Sequence, residues 1–103
     1  MTTRFTFYGI SFFAIEAGGR TILVDPCIRH NRTCPIAVED VKRADLILVT
    51  HGAPDHMGDA MELAQRTGAT LVSAPGVRVH ALASGVPEDK TVSVLWEIGR
   101  AHV

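Results

Sequence analysis

Short alternating and aliphatic segments open the chain, and glycine turns separate them. Residues 4–8 alternate polar and apolar side chains, and residues 12–17 follow after the turn Gly9-Ile10-Ser11. Residues 21–24 form a β-branched and aliphatic run that ends at Asp25-Pro26, where proline cannot donate to a strand ladder. Three strands in quick succession predict an antiparallel meander at the start of the chain.

The pattern then changes to alternating strand and helix. Residues 46–50 are a continuous apolar run, which is typical of a strand buried on both faces. Apolar side chains recur at helical spacing over residues 59–67, and Gly68 is placed to cap the end of that helix. Three more elements follow: a strand at 69–73, a helix at 77–84 and a strand at 91–96. The order predicts an α/β fold of the layered α+β type.

Composition narrows the class of protein. The chain has 103 residues, of which 47% are hydrophobic, and this supplies enough apolar material for a core. The formal net charge is -1 and the basic residues are scattered, so we expect a small-molecule substrate and no nucleic-acid partner. No signal peptide or membrane-spanning run is evident, which predicts a cytoplasmic protein. Cys27 and Cys34 are too few for a disulfide scaffold and are expected to be reduced.

The segment with the most chemistry lies where the buried strand gives way to a helix. Residues 50–59 read Thr-His-Gly-Ala-Pro-Asp-His-Met-Gly-Asp, so His51, Asp55 and His56 fall within six positions. Imidazole nitrogen and carboxylate oxygen are ligands that suit zinc and neighbouring first-row metals. Because a loop at the end of a buried strand can aim all three side chains together, the pattern indicates a divalent metal site.

This segment resembles the metal-binding signature Thr-His-x-His-x-Asp-His of the metallo-β-lactamase superfamily. Four further segments resemble the beginning of small bacterial and archaeal metal-dependent hydrolases related to the ascorbate-phosphate lactonases: 8–12, 19–26, 44–49 and 66–70. The resemblance covers about the first 96 residues. It implies the N-terminal half of the αββα metallo-β-lactamase sandwich, truncated, and the hydrolysis of an ester, lactone or phosphodiester type bond by metal-bound hydroxide.

The resemblance also implies roles for individual residues. His51 would be a ligand of a first metal, and Asp55 and His56 would be ligands of a second. Asp55 would in addition be catalytic, because it orients the water or accepts its proton. The metal is expected to be zinc, with manganese or iron as alternatives. Asp25 either steadies the metal loop or forms a plain Asp-Pro turn, and Asp59 is expected to cap the following helix.

Two positions depart from the family pattern. Ala53 stands where the signature has its second histidine, and alanine offers no ligand atom. Ile10 stands where related chains usually have a histidine between the glycine and a small residue. These losses favour a subgroup with altered metal use, and the alternative is a non-catalytic metal- or metabolite-binding relic of the same fold. His30 and His80 are interpreted as solvent-exposed residues without a role in the site.

Length is the largest departure, because related domains are roughly twice this size and their later half supplies further ligands and a facing sheet. A sheet without that layer exposes apolar surface, so we expect self-association and an inactive fragment. Residues 98–103 match the translation of a common sequencing adapter. This predicts a partial domain at 1–96 and a non-native read-through tail at 97–103, which sequencing the source locus past the Trp96 codon would test.

Overall fold

The computed structural model describes residues 2–94, so the predictions for residues 95–103 lie outside the described part. The strands are β1 Arg4–Gly9, β2 Phe12–Ala17, β3 Arg20–Val24, β4 Leu46–Leu48, β5 Thr70–Ser73 and β6 Thr91–Ser93. The α-helices are α1 Pro54–Met57, α2 Ala60–Thr67 and α3 Pro75–Ala83, and short 3-10 turns lie at Val38–Asp40 and Glu88–Lys90. This mixed architecture confirms the predicted fold class.

The six strands form one sheet in the order β1-β2-β3-β4-β5-β6. β1, β2 and β3 are antiparallel, which confirms the predicted meander, and β3 to β6 are parallel. The carboxyl ends of parallel strands lie at one edge of a sheet, and ligands commonly bind there. Asp25 follows β3 and Thr50 follows shortly after β4, so both residues lie at this edge.

One face of the sheet carries the core. A row of cross-strand partners on this face consists of Ala14, Leu23, Ile47 and Leu71, all of them buried. Helix α2 packs on this core through its apolar side, because Leu63 and its apolar neighbours in the helix recur at helical spacing and are buried. The helix ends at Gly68, which adopts the predicted left-handed cap conformation with φ +74°.

The opposite face of the sheet is also apolar. Its central row of cross-strand partners comprises Phe7, Phe13, Val24, Leu48, Val72 and Val92. Phe7 and the neighbouring Phe5 are each 63% exposed, and Phe5 stacks on Phe13 with ring centroids 4.8 Å apart. Large apolar patches on a surface mark sites of interaction. Self-association through this face stays a prediction.

Two details of the helices differ from the sequence-based expectation. The segment after β4 was expected to be a loop, but Pro54 begins the single turn of α1. Helix α3 begins at Pro75 and not at Val77. In both cases proline occupies the first helical position, where its fixed φ fits and its missing N–H costs nothing. Within residues 2–94, no helix is long and apolar enough to cross a membrane.

The turn between β1 and β2 stores backbone strain at Ile10, which adopts φ +57°. A β-branched residue in this left-handed region costs roughly 1–2 kcal/mol, whereas asparagine tolerates it. Ile10 is 48% exposed, so little burial is lost on replacement. We expect Ile10→Asn to raise the free energy of unfolding by about 1 kcal/mol in urea titrations. The exposed helical residue Val79 is the control, since Val79→Asn should bring no gain. Destabilisation by Ile10→Asn would contradict strain at this turn.

Candidate metal centre

Asp25 is the buried centre of the site. It is 1% exposed and adopts φ +49°, a conformation that aspartate tolerates better than most residues. Its Oδ1 accepts the backbone N–H of Thr50 at 2.7 Å, and its Oδ2 accepts the Thr50 hydroxyl at 2.6 Å. The Nδ1 atom of His56 lies 2.7 Å from the same Oδ2. Asp25 therefore steadies the metal loop, which favours this alternative over a plain Asp-Pro turn.

The three predicted ligands lie beside one another at this edge. The rings of His51 and His56 have centroids 3.7 Å apart, and His56 Nε2 lies 3.9 Å from Asp55 Oδ1. The His56 side chain is 19% exposed and that of Asp55 is 57% exposed. Across residues 2–94, however, no group of three or more His, Cys, Asp or Glu side chains is arranged so that it could hold a metal ion. The assignment of these residues as ligands stays a prediction.

The chemistry of this donor set fits a divalent ion. Histidines that bind a metal commonly donate their other ring N–H to a carboxylate, and His56 has this relation to Asp25. Two ligand atoms about 2.1 Å from one ion are roughly 3.4 Å apart at a tetrahedral angle. The observed separation of His56 Nε2 and Asp55 Oδ1 is 3.9 Å, and the Asp55 side chain is exposed. Ala53, which precedes α1, adds no donor atom.

Two residues of the site were missed by the sequence analysis. Ser11 Oγ lies 3.3 Å from His56 Nε2, on the side of the ring where a ligand would bind. Thr50 contacts Asp25 and both histidine rings. The hairpin register could have indicated Ser11, because Phe13 pairs with Val24 and so brings the turn before β2 close to the end of β3.

The role predicted for Asp59 is wrong. This residue precedes α2, but its carboxylate makes no capping hydrogen bond, since its backbone is at φ -98° and ψ 17° and not in the extended conformation of most caps. It accepts the backbone N–H groups of Ile28 at 2.7 Å and Arg29 at 3.0 Å, and it pairs with the Arg29 guanidinium. Asp59 therefore fastens the segment after β3 to the start of α2.

Charge and burial shift the pKa values of three groups around this contact, and that of Arg29 is raised mainly by its hydrogen bonds to Glu62. Hydrogen bonds from the Arg29 guanidinium hold the pKa of Glu62 below its ordinary value. Burial, and then the nearby Asp59 carboxylate, raise the pKa of the Cys27 thiol. Cys27 and Cys34 are both free, as expected from their number. A thiol with a raised pKa is a poor nucleophile, so we assign Cys27 to packing.

A cavity of about 430 Å³ opens beside His51. Its wall is largely apolar and includes Leu48, Val72, Ala74 and Val94. Ligand sites are commonly concave and mostly apolar, with a few polar groups that fix orientation. His30 and His80 are exposed, as expected.

The mixed sheet places imidazole and carboxylate side chains at the carboxyl edge of its parallel strands. A family model described as the metallo-beta-lactamase superfamily matches residues 5–98. The chain belongs to the metallo-β-lactamase superfamily.

Similar proteins are described as metal-dependent hydrolases. The chain is 40% identical over 93 residues to a UPF0173 metal-dependent hydrolase of Heliobacterium modesticaldum, covering 82% of this chain and 39% of the relative. It is 38% identical over 91 residues to the UPF0173 metal-dependent hydrolase MK1542 of Methanopyrus kandleri. That match covers 88% of this chain and 39% of the relative. The solved structure of Igni18, a metallo hydrolase of Ignicoccus hospitalis, superposes with a TM-score of 0.79 and 32% identity over 92% of this chain and 40% of that one. The chain thus spans about 39% of the length of these curated relatives.

Proposed function

We propose that this protein contributes the metal-binding part of a hydrolase that cleaves an ester, lactone or phosphodiester bond in a small molecule. The observation that carries the proposal is the pairing of His56 Nδ1 with the buried Asp25 at 2.7 Å, with Asp55 Oδ1 3.9 Å and Ser11 Oγ 3.3 Å from the other ring nitrogen, Nε2. This is the arrangement that a metal-binding histidine requires. We propose zinc as the metal, with manganese or iron as alternatives, because all three accept nitrogen and carboxylate oxygen.

Each residue of the proposed site would have its own role in hydrolysis. His51 would hold a first metal, and Asp55 and His56 a second. A bound metal lowers the pKa of a coordinated water and polarises the bond to be cleaved. The Asp55 side chain is 57% exposed and lies beside His56, so it can orient a water and accept its proton. Asp25 and Thr50 hold the imidazoles in place.

The cavity beside His51 suggests where the substrate binds. Leu48, Val72 and Val94 are apolar and lie next to a histidine that would hold the ion. An apolar substituent of the substrate could therefore be buried while the scissile bond lies toward His51. This favours substrates with an apolar group next to the cleaved bond over compact charged ones.

Asp55→Ala tests the proposal. Zinc affinity, measured by competition with a chromophoric chelator, should fall about 100-fold because a charged ligand is lost. Any turnover in a panel of esters, lactones and phosphodiesters should fall by about 10²–10⁴-fold with the loss of the proton acceptor. Stability should change by no more than about 0.5 kcal/mol, since Asp55 is on the surface.

Asp89 provides the matched control, because it is an exposed aspartate in the 3-10 turn Glu88–Lys90. Asp89→Ala should leave zinc affinity and turnover unchanged. If Asp55→Ala binds zinc as tightly as the unaltered chain, Asp55 is not a ligand and the proposed site is wrong.

Ala53 favours one second candidate, a protein that binds a metal or metabolite without turnover. The signature histidine is absent at this position, so the ion has fewer protein ligands than in the full signature. The same assays separate the two candidates. Zinc binding without hydrolysis of any panel substrate, either by this chain or by a longer reading frame from its source locus, would support the binding role.

A further inference from the structure

The hydroxyl of Thr50 lies at the centre of the site and has three neighbours. Its Oγ1 is 2.6 Å from Asp25 Oδ2, 3.1 Å from His51 Nδ1 and 3.3 Å from His56 Nδ1. Both imidazoles therefore present the same nitrogen, Nδ1, to the Asp25–Thr50 pair. The other ring nitrogen, Nε2, is the one that could bind a metal, and in His56 it lies 3.3 Å from Ser11 Oγ.

Counting protons assigns the direction of each hydrogen bond. A carboxylate only accepts, and a hydroxyl has a single proton to donate. The shortest contact of Thr50 is to Asp25, so its proton points to that carboxylate. The hydroxyl is then an acceptor toward His51, which must carry its proton on Nδ1 to donate.

The same reasoning applies to His56. Its Nδ1 is 2.7 Å from Asp25 Oδ2, and that oxygen has no proton to give. His56 must therefore donate from Nδ1 as well. In their neutral forms both rings carry their proton on Nδ1 and expose an unprotonated Nε2, which is the form that binds a metal.

We propose that Thr50 is a positioning residue that fixes the tautomer of His51 directly and supports that of His56 through Asp25. The part of this proposal that concerns metal affinity rests on the proposed function, whereas the tautomers themselves do not. Without the hydroxyl, His51 Nδ1 loses its acceptor and the ring is free to take either tautomer. Only the tautomer with an unprotonated Nε2 then binds the metal, so the apparent metal affinity falls with the population of that tautomer.

Thr50→Val isolates the hydroxyl. Valine has nearly the same shape, and the residue is exposed, so packing changes little. The backbone N–H of residue 50 still donates to Asp25 Oδ1, which keeps the loop attached. Thr50→Ser restores the hydroxyl and is the matched control, and Thr50→Ala repeats the test without a branched side chain.

The first readout is the ¹⁵N chemical shifts of the two rings in metal-free protein, followed to alkaline pH until they no longer change. We expect the Nδ1–H pattern for both rings in the unaltered chain and in Thr50→Ser. In Thr50→Val and Thr50→Ala, the ¹⁵N shifts of the His51 ring should move toward the values expected for a mixture of its two tautomers. A merely structural role for Thr50 would not move these shifts. His51 protonated on Nε2 in the unaltered chain would overturn the proposal.

The second readout is zinc affinity, measured by competition with a chromophoric chelator. Thr50→Val should weaken it about 10-fold, and Thr50→Ser by less than about 2-fold. Equal affinity in the unaltered chain and Thr50→Val would overturn the role of Thr50 in metal binding. If the ring shifts behave as expected but none of these proteins binds zinc, the tautomer assignment stands and the proposed metal site fails.

Discussion

Replacing Gly58 with alanine is expected to lower the free energy of unfolding by about 4 kcal/mol, the largest loss among the substitutions considered. Gly58 joins α1 to α2 with φ +45° and ψ -122°, a conformation that strains any residue with a Cβ. A Cβ there would lie 2.5 Å from Cys27 Cα and 2.8 Å from the Pro26 carbonyl oxygen. Since these are backbone atoms, no side-chain rotation relieves the contact.

Gly68→Ala is the matched control, because Gly68 also has a positive φ, +74°, but a Cβ there meets nothing within 4 Å. It should cost only about 1 kcal/mol from backbone strain. Urea unfolding of both variants measures the difference, which reports the steric contact together with the greater backbone strain of Gly58, whose ψ is -122° where that of Gly68 is 16°. Equal losses would show that the loop can move away from Pro26 and Cys27 freely.

The position of Gly58 also explains why the site depends on it. The glycine allows the chain after His56 to pass close to Pro26, and the Asp59 N–H then donates to the Pro26 carbonyl oxygen at 3.0 Å. Pro26 directly follows Asp25, so this close approach brings His56 within reach of the buried carboxylate. The contact between His56 and the Asp25 carboxylate therefore depends on the absence of a side chain at Gly58.

The strands were predictable from the sequence because their signals are local. The β-branched run at 21–24 and the aliphatic run at 46–50 give strands wherever they pack, and Gly68 ends a helix through its own backbone freedom. One-turn helix α1 was not predictable from periodicity, because four residues are too few to show a repeat.

The candidate site was predictable only in part. His51, Asp55 and His56 are close in sequence, so their proximity in the fold follows from local geometry. The contacts of Asp59 with Ile28 and Arg29 join segments about thirty residues apart, and a local rule assigned Asp59 to a helix cap instead. The contact of Asp25 with His56 has the same long-range origin, since it depends on the parallel pairing of β3 with β4.

Asp25→Asn is expected to weaken zinc binding on the order of 100-fold while the chain stays folded. Asparagine has the same shape and tolerates the φ of +49° at this position. Its amide oxygen must face the Thr50 N–H, because an NH₂ group there would meet another donor. The NH₂ group then takes the place of Oδ2, next to Thr50 Oγ1 and His56 Nδ1.

This single exchange of an acceptor for a donor reverses the proton positions in the site. His56 Nδ1 must now accept, so its proton moves to Nε2. Thr50 also accepts from the amide, so its own proton points to His51 Nδ1, and that ring moves its proton to Nε2 as well. Both ligand nitrogens are then blocked. Removing one outer partner of a metal ligand costs about 10–100-fold in affinity, and here two ligands are affected.

Zinc competition and ring ¹⁵N shifts measure this result, and urea unfolding should show a loss of only about 2 kcal/mol because every polar group keeps a partner. Asp45→Asn is the control. Asp45 Oδ2 accepts one backbone N–H, from Thr21 at 2.7 Å, and an amide oxygen can replace it. The control should leave zinc affinity unchanged. If Asp25→Asn keeps both rings protonated on Nδ1, the carboxylate does not set the tautomers, and the shape of the loop alone must hold the imidazoles in place.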